Sequence, residues 1–317
     1  MKLSLVVPCY NEEENVFPFF DAVMKVFDKK AFDYEIIFIN DGSKDNTLTK
    51  LKEIYNNFSD KAAVINFSRN FGKEAAVLAG LKRASGDYTA IIDADLQQKP
   101  EIVVTMVNFL EEHEEYDVVA AYQEKRIEGK VMSGAKKMFY ALINKVCDIE
   151  FYSGASDFRT LRRRVVEALI SMPEYFRFSK GLFSWVGFET YYLPYMAEER
   201  NAGESKWSVK KLIRYAIEGF ISFTTFPLKI ATYLGALISL LSIMYMFVVI
   251  VQKLFFSINI PGYPTIIVLI LFLGGVQLLI LGIIGEYLAR IYIQGKNRPI
   301  YIEKEFFGIR NNLAGER

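Results

Sequence analysis

The sequence predicts an α/β protein in which a mainly parallel sheet with flanking helices is followed by an interfacial amphipathic helix and two transmembrane α-helices. Three observations carry this. Short β-branched and aromatic runs alternate with helical patterns through the first 120 or so residues. Polar clusters follow directly on those runs, and two long charge-free stretches lie towards the C-terminus. Composition agrees, because 52% hydrophobic residues in a chain of 317 is high for a water-soluble protein. Lys plus Arg (38) nearly balances Asp plus Glu (37), so no global basic field points to nucleic acid. Cys9 and Cys147 are far apart and lack Cys-x-x-Cys spacing, which speaks against a disulfide framework or a zinc site and for a reducing compartment. The N-terminal apolar run, Leu3 to Val7, is too short for a signal-peptide core, and the first domain is expected in the cytosol.

Taken in order, Lys2 to Val7 reads as the first strand and Glu13 to Phe27 as a helix, with Val16, Phe20, Val23, Met24 and Phe27 at spacings of three and four. Tyr34 to Asn40 is the second strand. Gly42 and Asp45 then supply turn and N-cap chemistry for a helix over Asn46 to Asn57. Ala62 to Asn66, Tyr88 to Asp93 and Asp117 to Ala121 complete the strands, and Pro100 to Leu110 repeats the amphipathic pattern. In such a sheet ligands bind beyond the carboxyl ends of the strands. Those ends carry Pro8-Cys9-Tyr10-Asn11-Glu12, Asn40-Asp41-Gly42-Ser43, Ser68-Arg69-Asn70 and the pair Asp93/Asp95. Two residues apart in extended backbone, Asp93 and Asp95 point the same way and offer hard oxygen ligands to Mg²⁺ or Mn²⁺, with positions left for phosphate oxygens. Asp157, ahead of a helical pattern over Leu161 to Ile170, has the local look of a helix cap. His113, inside an acidic run, reads as solvated.

Arg126 to Lys137 is basic and without strong periodicity, and Arg200 to Trp207 is polar and Gly-bearing. Lys206 to Phe223 sets Leu212, Tyr215, Ala216, Gly219 and Phe220 against Lys210, Lys211 and Arg214, the pattern of a helix lying in a membrane interface. Ile230 to Val251 and Thr265 to Gly285 carry no charge, and each is long enough at ~1.5 Å per residue to cross ~30 Å of hydrocarbon. Lys and Arg flank this hairpin on its outer arms, while only Lys253 lies in its connection, which predicts both termini inside and a multi-pass protein of the cytoplasmic membrane. Gly274, Gly275, Gly282 and Gly285 would let helices approach closely, so a homo-oligomer is a partner class to consider. The expected organisation is a catalytic domain over 1–205, a juxtamembrane helix over 206–226, a hairpin over 227–290 and a cytosolic tail over 291–317.

With these pieces in order, the chain resembles a family 2 glycosyltransferase of the polyprenyl-phosphate type, the group of dolichyl-phosphate mannose synthases and bacterial undecaprenyl-phosphate glucosyltransferases. The resemblance rests on Val7-Pro8-Cys9-Tyr10-Asn11-Glu12-Glu13, Asn40-Asp41-Gly42-Ser43-x-Asp45, Ser68-Arg69-Asn70-Phe71-Gly72-Lys73-Glu74, Asp93-Ala94-Asp95-Leu96-Gln97, Ser156-Asp157-Phe158-Arg159 and Arg200-x-x-Gly203-x-Ser205-Lys206. It implies a GT-A fold, with Pro8, Tyr10, Glu12, Asp41 and Lys73 on the donor nucleotide and Asp93, Asp95 and Gln97 at a Mg²⁺ or Mn²⁺ ion. It also implies Asp157 near the sugar, as a catalytic base or as an orienting carboxylate. Arg126, Arg200 and Lys206 are candidates for the acceptor phosphate, which guanidinium grips in bidentate fashion. The expected reaction moves a hexose, glucose first, from UDP-glucose to undecaprenyl phosphate. Ser156 and Asn40 depart from the commoner Gly and Asp of the family. A processive polysaccharide synthase is disfavoured, since neither Trp185 nor Trp207 completes a Gln-x-x-Arg-Trp motif.

Overall fold

The computed structural model describes residues 1–30, 32–123, 155–196, 224–256 and 262–309. These form two compact units, residues 1–123, 155–196 and 299–309 making the first and 224–256 with 262–298 the second.

In the first unit β1 (Lys2–Cys9), α1 (Val16–Phe27), β2 (Asp33–Asn40), α2 (Thr47–Asn57), β3 (Ala62–Phe67), α3 (Lys73–Arg83), β4 (Tyr88–Ile91), α4 (Pro100–Glu112) and β5 (Val118–Gln123) alternate as the periodicity predicts. α1 begins three residues later than expected because the residues ahead of Val16 are engaged in loop contacts, including Asn15 N–H to the Glu12 carbonyl. Its buried stripe is Val16, Phe19, Phe20, Val23 and Phe27, and Pro18 is accommodated in the first turn, where no intrahelical N–H is needed. α3 packs closely on the sheet, so that a Cβ added to Gly80 would lie 2.3 Å from a Val6 methyl.

β6 (Ala155–Arg162) and β7 (Thr190–Tyr195) extend the sheet beyond what the sequence suggested, with α5 (Arg163–Ser171) and α6 (Ser179–Trp185) between them. β8 (Glu303–Phe307) joins it from beyond the second unit. Among the described residues the strand order is β7-β5-β6-β4-β1-β2-β3-β8. β1, β2, β3 and β4 are mutually parallel, β5 and β7 run with them, β6 is an antiparallel insertion and β8 an antiparallel edge strand. This is a mixed α/β sheet with flanking helices, as a GT-A architecture requires.

β6 corrects one reading. Asp157 is not a helix cap, because it lies inside a strand and the helix begins at Arg163. The strand was obscured because its polar residues are interior ones: Arg159 and Thr160 are as buried as Phe158 and Leu161.

The second unit consists of α7 (Phe226–Phe256) and α8 (Tyr263–Gly295), each containing a span long and apolar enough to cross a membrane, with mean hydropathy 2.6. Their apolar side chains face outward, Phe247 at 68% and Leu278 at 72% exposure. The Tyr287 hydroxyl donates to the Thr224 carbonyl at 2.9 Å, tying α8 to the entrance of α7. The expected amphipathic segment Lys206 to Phe223 lies outside the described residues.

Candidate active site

Parallel pairing brings the carboxyl ends of β1, β2, β3 and β4 to one edge, and the loops leaving those ends are stitched together. Pro8 and Cys9 end β1, and Tyr10, Asn11 and Glu12 continue from it, all but the buried Cys9 half-buried. Asn11 has φ +52°, a conformation Asn tolerates better than most residues, and its Oδ1 accepts the Lys44 N–H at 2.9 Å. The Asn11 N–H donates to Ser43 Oγ (3.0 Å), the Glu12 N–H to Thr47 Oγ1 (2.8 Å) and the Glu13 N–H to Asp45 Oδ2 (3.2 Å). Asp45 Oδ1 also accepts the Thr47 N–H at 3.1 Å, but as a turn contact one residue ahead of the expected cap, because the N-cap of α2 is Asn46. The loop after β1 is therefore fixed by the loop after β2.

Asp41 fixes the third loop. Its carboxylate accepts N–H groups from Phe71 (2.7 Å) and Gly72 (2.9 Å) and the Asn70 carboxamide (3.0 Å). Burial pushes its pKa up to about 6, against the opposing pull of the Phe71 and Gly72 N–H groups and Arg69. Gly72, at φ +97°, turns the chain into α3 in a region that L side chains rarely adopt.

α3 thus starts from a held loop, and its first residue reaches the acidic pair. Lys73 Nζ lies 2.6 Å from Asp93 Oδ1, 2.9 Å from Asp93 Oδ2 and 3.4 Å from Asp157 Oδ2. The antiparallel register explains the meeting: Ile91 pairs with Arg159, so the two chains carried two residues further bring Asp93 level with Asp157. Partial burial works against charge on Lys73, but the two carboxylates outweigh it and hold its pKa above the usual lysine value. Burial alone would raise Asp157, yet Lys73, Lys180 and Arg159 outweigh it and keep that carboxylate below its ordinary range and ionised. Asp157 Oδ1 is buried with no hydrogen-bond partner among the described residues.

The Asp93–Gln97 segment is a tight turn rather than the extended backbone expected of the acidic pair, since β4 ends at Ile91, and in it Leu96, at φ +60°, is strained for a γ-branched residue. The Gln97 N–H donates to Asp95 Oδ1 at 3.2 Å, and the Asp93 N–H donates to the carboxamide oxygen of buried Gln98 at 3.0 Å. Two carboxylates and one carboxamide in a single turn suit a divalent ion that takes its remaining ligands from substrate phosphates and water. No cluster of three His, Cys, Asp or Glu that could hold a metal by itself occurs among the described residues.

Behind Asp157, on the same face of β6, Arg159 is buried, with its guanidinium 3.7 Å from the Phe183 ring centroid and its NH2 group donating to the Ser156 carbonyl at 2.8 Å. Burial lowers its pKa to about 10, which leaves it charged at neutral pH. Glu74, next to Lys73, accepts the Ser179 N–H at 2.9 Å and the Ser179 hydroxyl, linking α3 to α6. Pro8, Tyr10, Glu12, Asp41, Lys73, Asp93, Asp95, Gln97 and Asp157 therefore all belong to one strand edge or the loops leaving it. Arg126, Arg200 and Lys206 lie outside the described residues. Sequence reasoning passed over Gln98, Asn70 and Arg159 as site residues, although Asn70 and Arg159 stood inside quoted motifs.

A sheet edge of this make-up suits an enzyme that binds a phosphate-bearing substrate together with a divalent ion, and comparison with known proteins gives the class. Residues 4–170 match the model of glycosyl transferase family 2, and residues 226–291 match that of the GtrB C-terminal hairpin. The chain belongs to glycosyl transferase family 2 and is a glycosyltransferase. It is 44% identical to the putative glycosyltransferase CsbB of Bacillus subtilis, over 96% of this chain and 91% of that protein. It is 42% identical to the bactoprenol glucosyl transferase of Shigella phage SfII, over 96% of this chain and 98% of that protein. Among solved structures, glucosyl-3-phosphoglycerate synthase from Mycobacterium tuberculosis, in complex with Mn²⁺ and uridine-diphosphate-glucose, aligns with TM-score 0.43 and 21% identity over 68% of this chain and 75% of that one.

Proposed function

We propose that the protein transfers glucose from UDP-glucose to undecaprenyl phosphate or a similar polyprenyl phosphate at the cytosolic face of a membrane, with inversion at the sugar. One observation carries the reading: likeness to relatives named bactoprenol glucosyl transferases spans both the strand-edge cluster and the apolar hairpin. In the proposed reaction an acceptor phosphate oxygen forms a bond to the sugar C1 as the bond from C1 to the donor diphosphate breaks, and UDP departs. A single displacement of this kind converts an α-linked donor into a β-linked product.

Pro8, Tyr10, Glu12 and Asp41 would bind and orient the nucleotide, and Asp93, Asp95 and Gln97 would hold Mg²⁺ or Mn²⁺. That ion would neutralise charge on the departing diphosphate. The acceptor phosphate, with a second pKa near ~6, is already largely ionised at neutral pH, so little general-base help is needed. Asp157 then serves best by accepting a hydrogen bond from a sugar hydroxyl through Oδ1. Arg126, Arg200 and Lys206 remain the candidates for the acceptor phosphate.

Membrane topology has its own support. β8 follows the hairpin in sequence yet pairs with β3, so if α7 and α8 cross a bilayer, the chain must come back to the side it left. Both arms on the cytosolic side, with the short connection outside, meets that condition.

The test is to incubate the purified protein in lipid with undecaprenyl phosphate and a panel of labelled nucleotide sugars. The expected product is a β-linked glucosyl lipid phosphate, abolished by chelator and reduced at least ~10²-fold in Asp93→Asn or Asp95→Asn with the fold intact. An α-linked product, or lipid labelling from another sugar alone, would overturn the corresponding part of the proposal.

A further inference from the structure

Lys73 raises a question that donor binding alone does not answer. Its ammonium sits within 2.9 Å of both Asp93 oxygens, so it already occupies the carboxylate a divalent ion would use. We propose that Lys73 is a place-holding cation: in the donor-free enzyme it neutralises Asp93 and Asp157 together, and it gives up Asp93 only when the metal arrives with a nucleotide diphosphate. This inference rests on the proposed metal role of Asp93 and Asp95.

Three features support the exchange. Asp93 and Asp157 come level across β4 and β6, and two ionised carboxylates so placed repel each other unless a cation lies between them. The backbone around Lys73 is fixed, since the preceding Phe71 and Gly72 N–H groups are held by Asp41 and the following Glu74 is held by Ser179. Only the side chain has to move. A lysine suits that task, because its ammonium is a point charge with three donors on a flexible stem and re-pairs without a demanded geometry. Once displaced, the ammonium still has Asp157 within reach and meets a new anion, the diphosphate.

The consequence is that metal binding depends on the nucleotide. Without UDP the metal must displace a bound cation and then sit beside it, whereas with UDP the phosphates ligate the metal and receive the lysine. Mn²⁺ binding to the full-length protein in detergent, followed by the electron paramagnetic resonance signal of free Mn²⁺, tests this without turnover. Wild type is expected to bind Mn²⁺ weakly alone and more tightly with UDP. Lys73→Met and Lys73→Gln, each checked for folding by thermal unfolding, are expected to bind Mn²⁺ alone roughly tenfold or more tighter than wild type, as loss of a nearby like charge predicts. Their gain on adding UDP should shrink, and Lys73→Arg should remain close to wild type. Unchanged or weaker Mn²⁺ affinity in both uncharged variants, with UDP-dependent binding intact in wild type, would overturn the place-holding role and leave the metal site standing. Absence of Mn²⁺ binding to wild type even with UDP, or binding unaffected by Asp93→Asn with Asp95→Asn, would overturn both.

Discussion

Asp41 and Gly42 show how closely single residues are held at this edge. A Cβ on Gly42 would fall 2.3 Å from the Arg69 carbonyl carbon and 2.5 Å from the Asn70 nitrogen, and the φ of +63° already favours glycine. Gly42→Ala should therefore cost about 2–3 kcal/mol of stability and weaken UDP binding, read from thermal unfolding and nucleotide titration. Asp41 contributes a pH dependence of definite sign. Its folded pKa, about 6, lies above the ordinary value of 3.8, so between these the native state retains a proton that the unfolded chain has lost. Its contribution to stability is then largest below about pH 4, declines as pH rises towards about 6, and is flat beyond. Wild type minus Asp41→Asn stability, measured at about pH 4.5 and about pH 7, should be more favourable at the lower pH. At this scale the pair Asp93 and Asp95 was legible because its relation is local, but its geometry was not, since β4 ends at Ile91 and the two carboxylates stand in a turn rather than in extended backbone. The Lys73 contact was not, since it spans twenty residues and needs α3 placed on the sheet.

The helices that proved legible, α1, α2 and α4, each bury one stripe and expose the rest. β6 was hidden by the opposite circumstance, interior positions filled by charged and hydroxyl groups whose partners come from other elements. Arg162 at its end shows how such a residue is satisfied. Nε donates to the Tyr116 carbonyl at 2.8 Å, NH1 to the Tyr88 hydroxyl at 3.0 Å, and NH2 to the Leu110 carbonyl and, at 3.3 Å, to that of His113. The last turn of α4 ends in carbonyls that want a cation, and β6 supplies it. Arg162→Ala should destabilise the first unit by about 2–3 kcal/mol, with nucleotide affinity little changed, because four carbonyl or hydroxyl groups lose a charged donor. Thermal unfolding with and without UDP separates the two effects. The same end of the strands has a second such device, in which Glu35 accepts Ser4 Oγ at 2.5 Å, the Ser85 N–H at 2.8 Å and the Lys2 ammonium at 2.9 Å.

Across the whole molecule the least expected feature is β8, which the sequence offers only as Glu303-Lys304-Glu305-Phe306-Phe307, a charged run of no obvious strand character. Its place depends on partners 239 and more residues away: Glu305 accepts the Asn66 carboxamide at 3.2 Å, and the Tyr55 hydroxyl donates to the Gly308 carbonyl at 3.0 Å. A chain ending at Arg298 should lose these contacts, expose the edge of β3 and exchange amide hydrogens faster over Ala62–Phe67, as hydrogen–deuterium exchange would read. Protection at wild-type level there would show that β8 is dispensable.

Order of synthesis gives β8 another meaning. The strand is translated after α7 and α8, so the edge of β3 stays open until both apolar helices have left the ribosome. If α7 and α8 cross a bilayer, a chain threaded through it an odd number of times would leave residues 303–307 stranded across the membrane from β3, with an unpaired strand edge available to aggregation. If α7 and α8 span a bilayer, closure of the sheet would then be reached only by molecules whose hairpin returns the chain to the side it left.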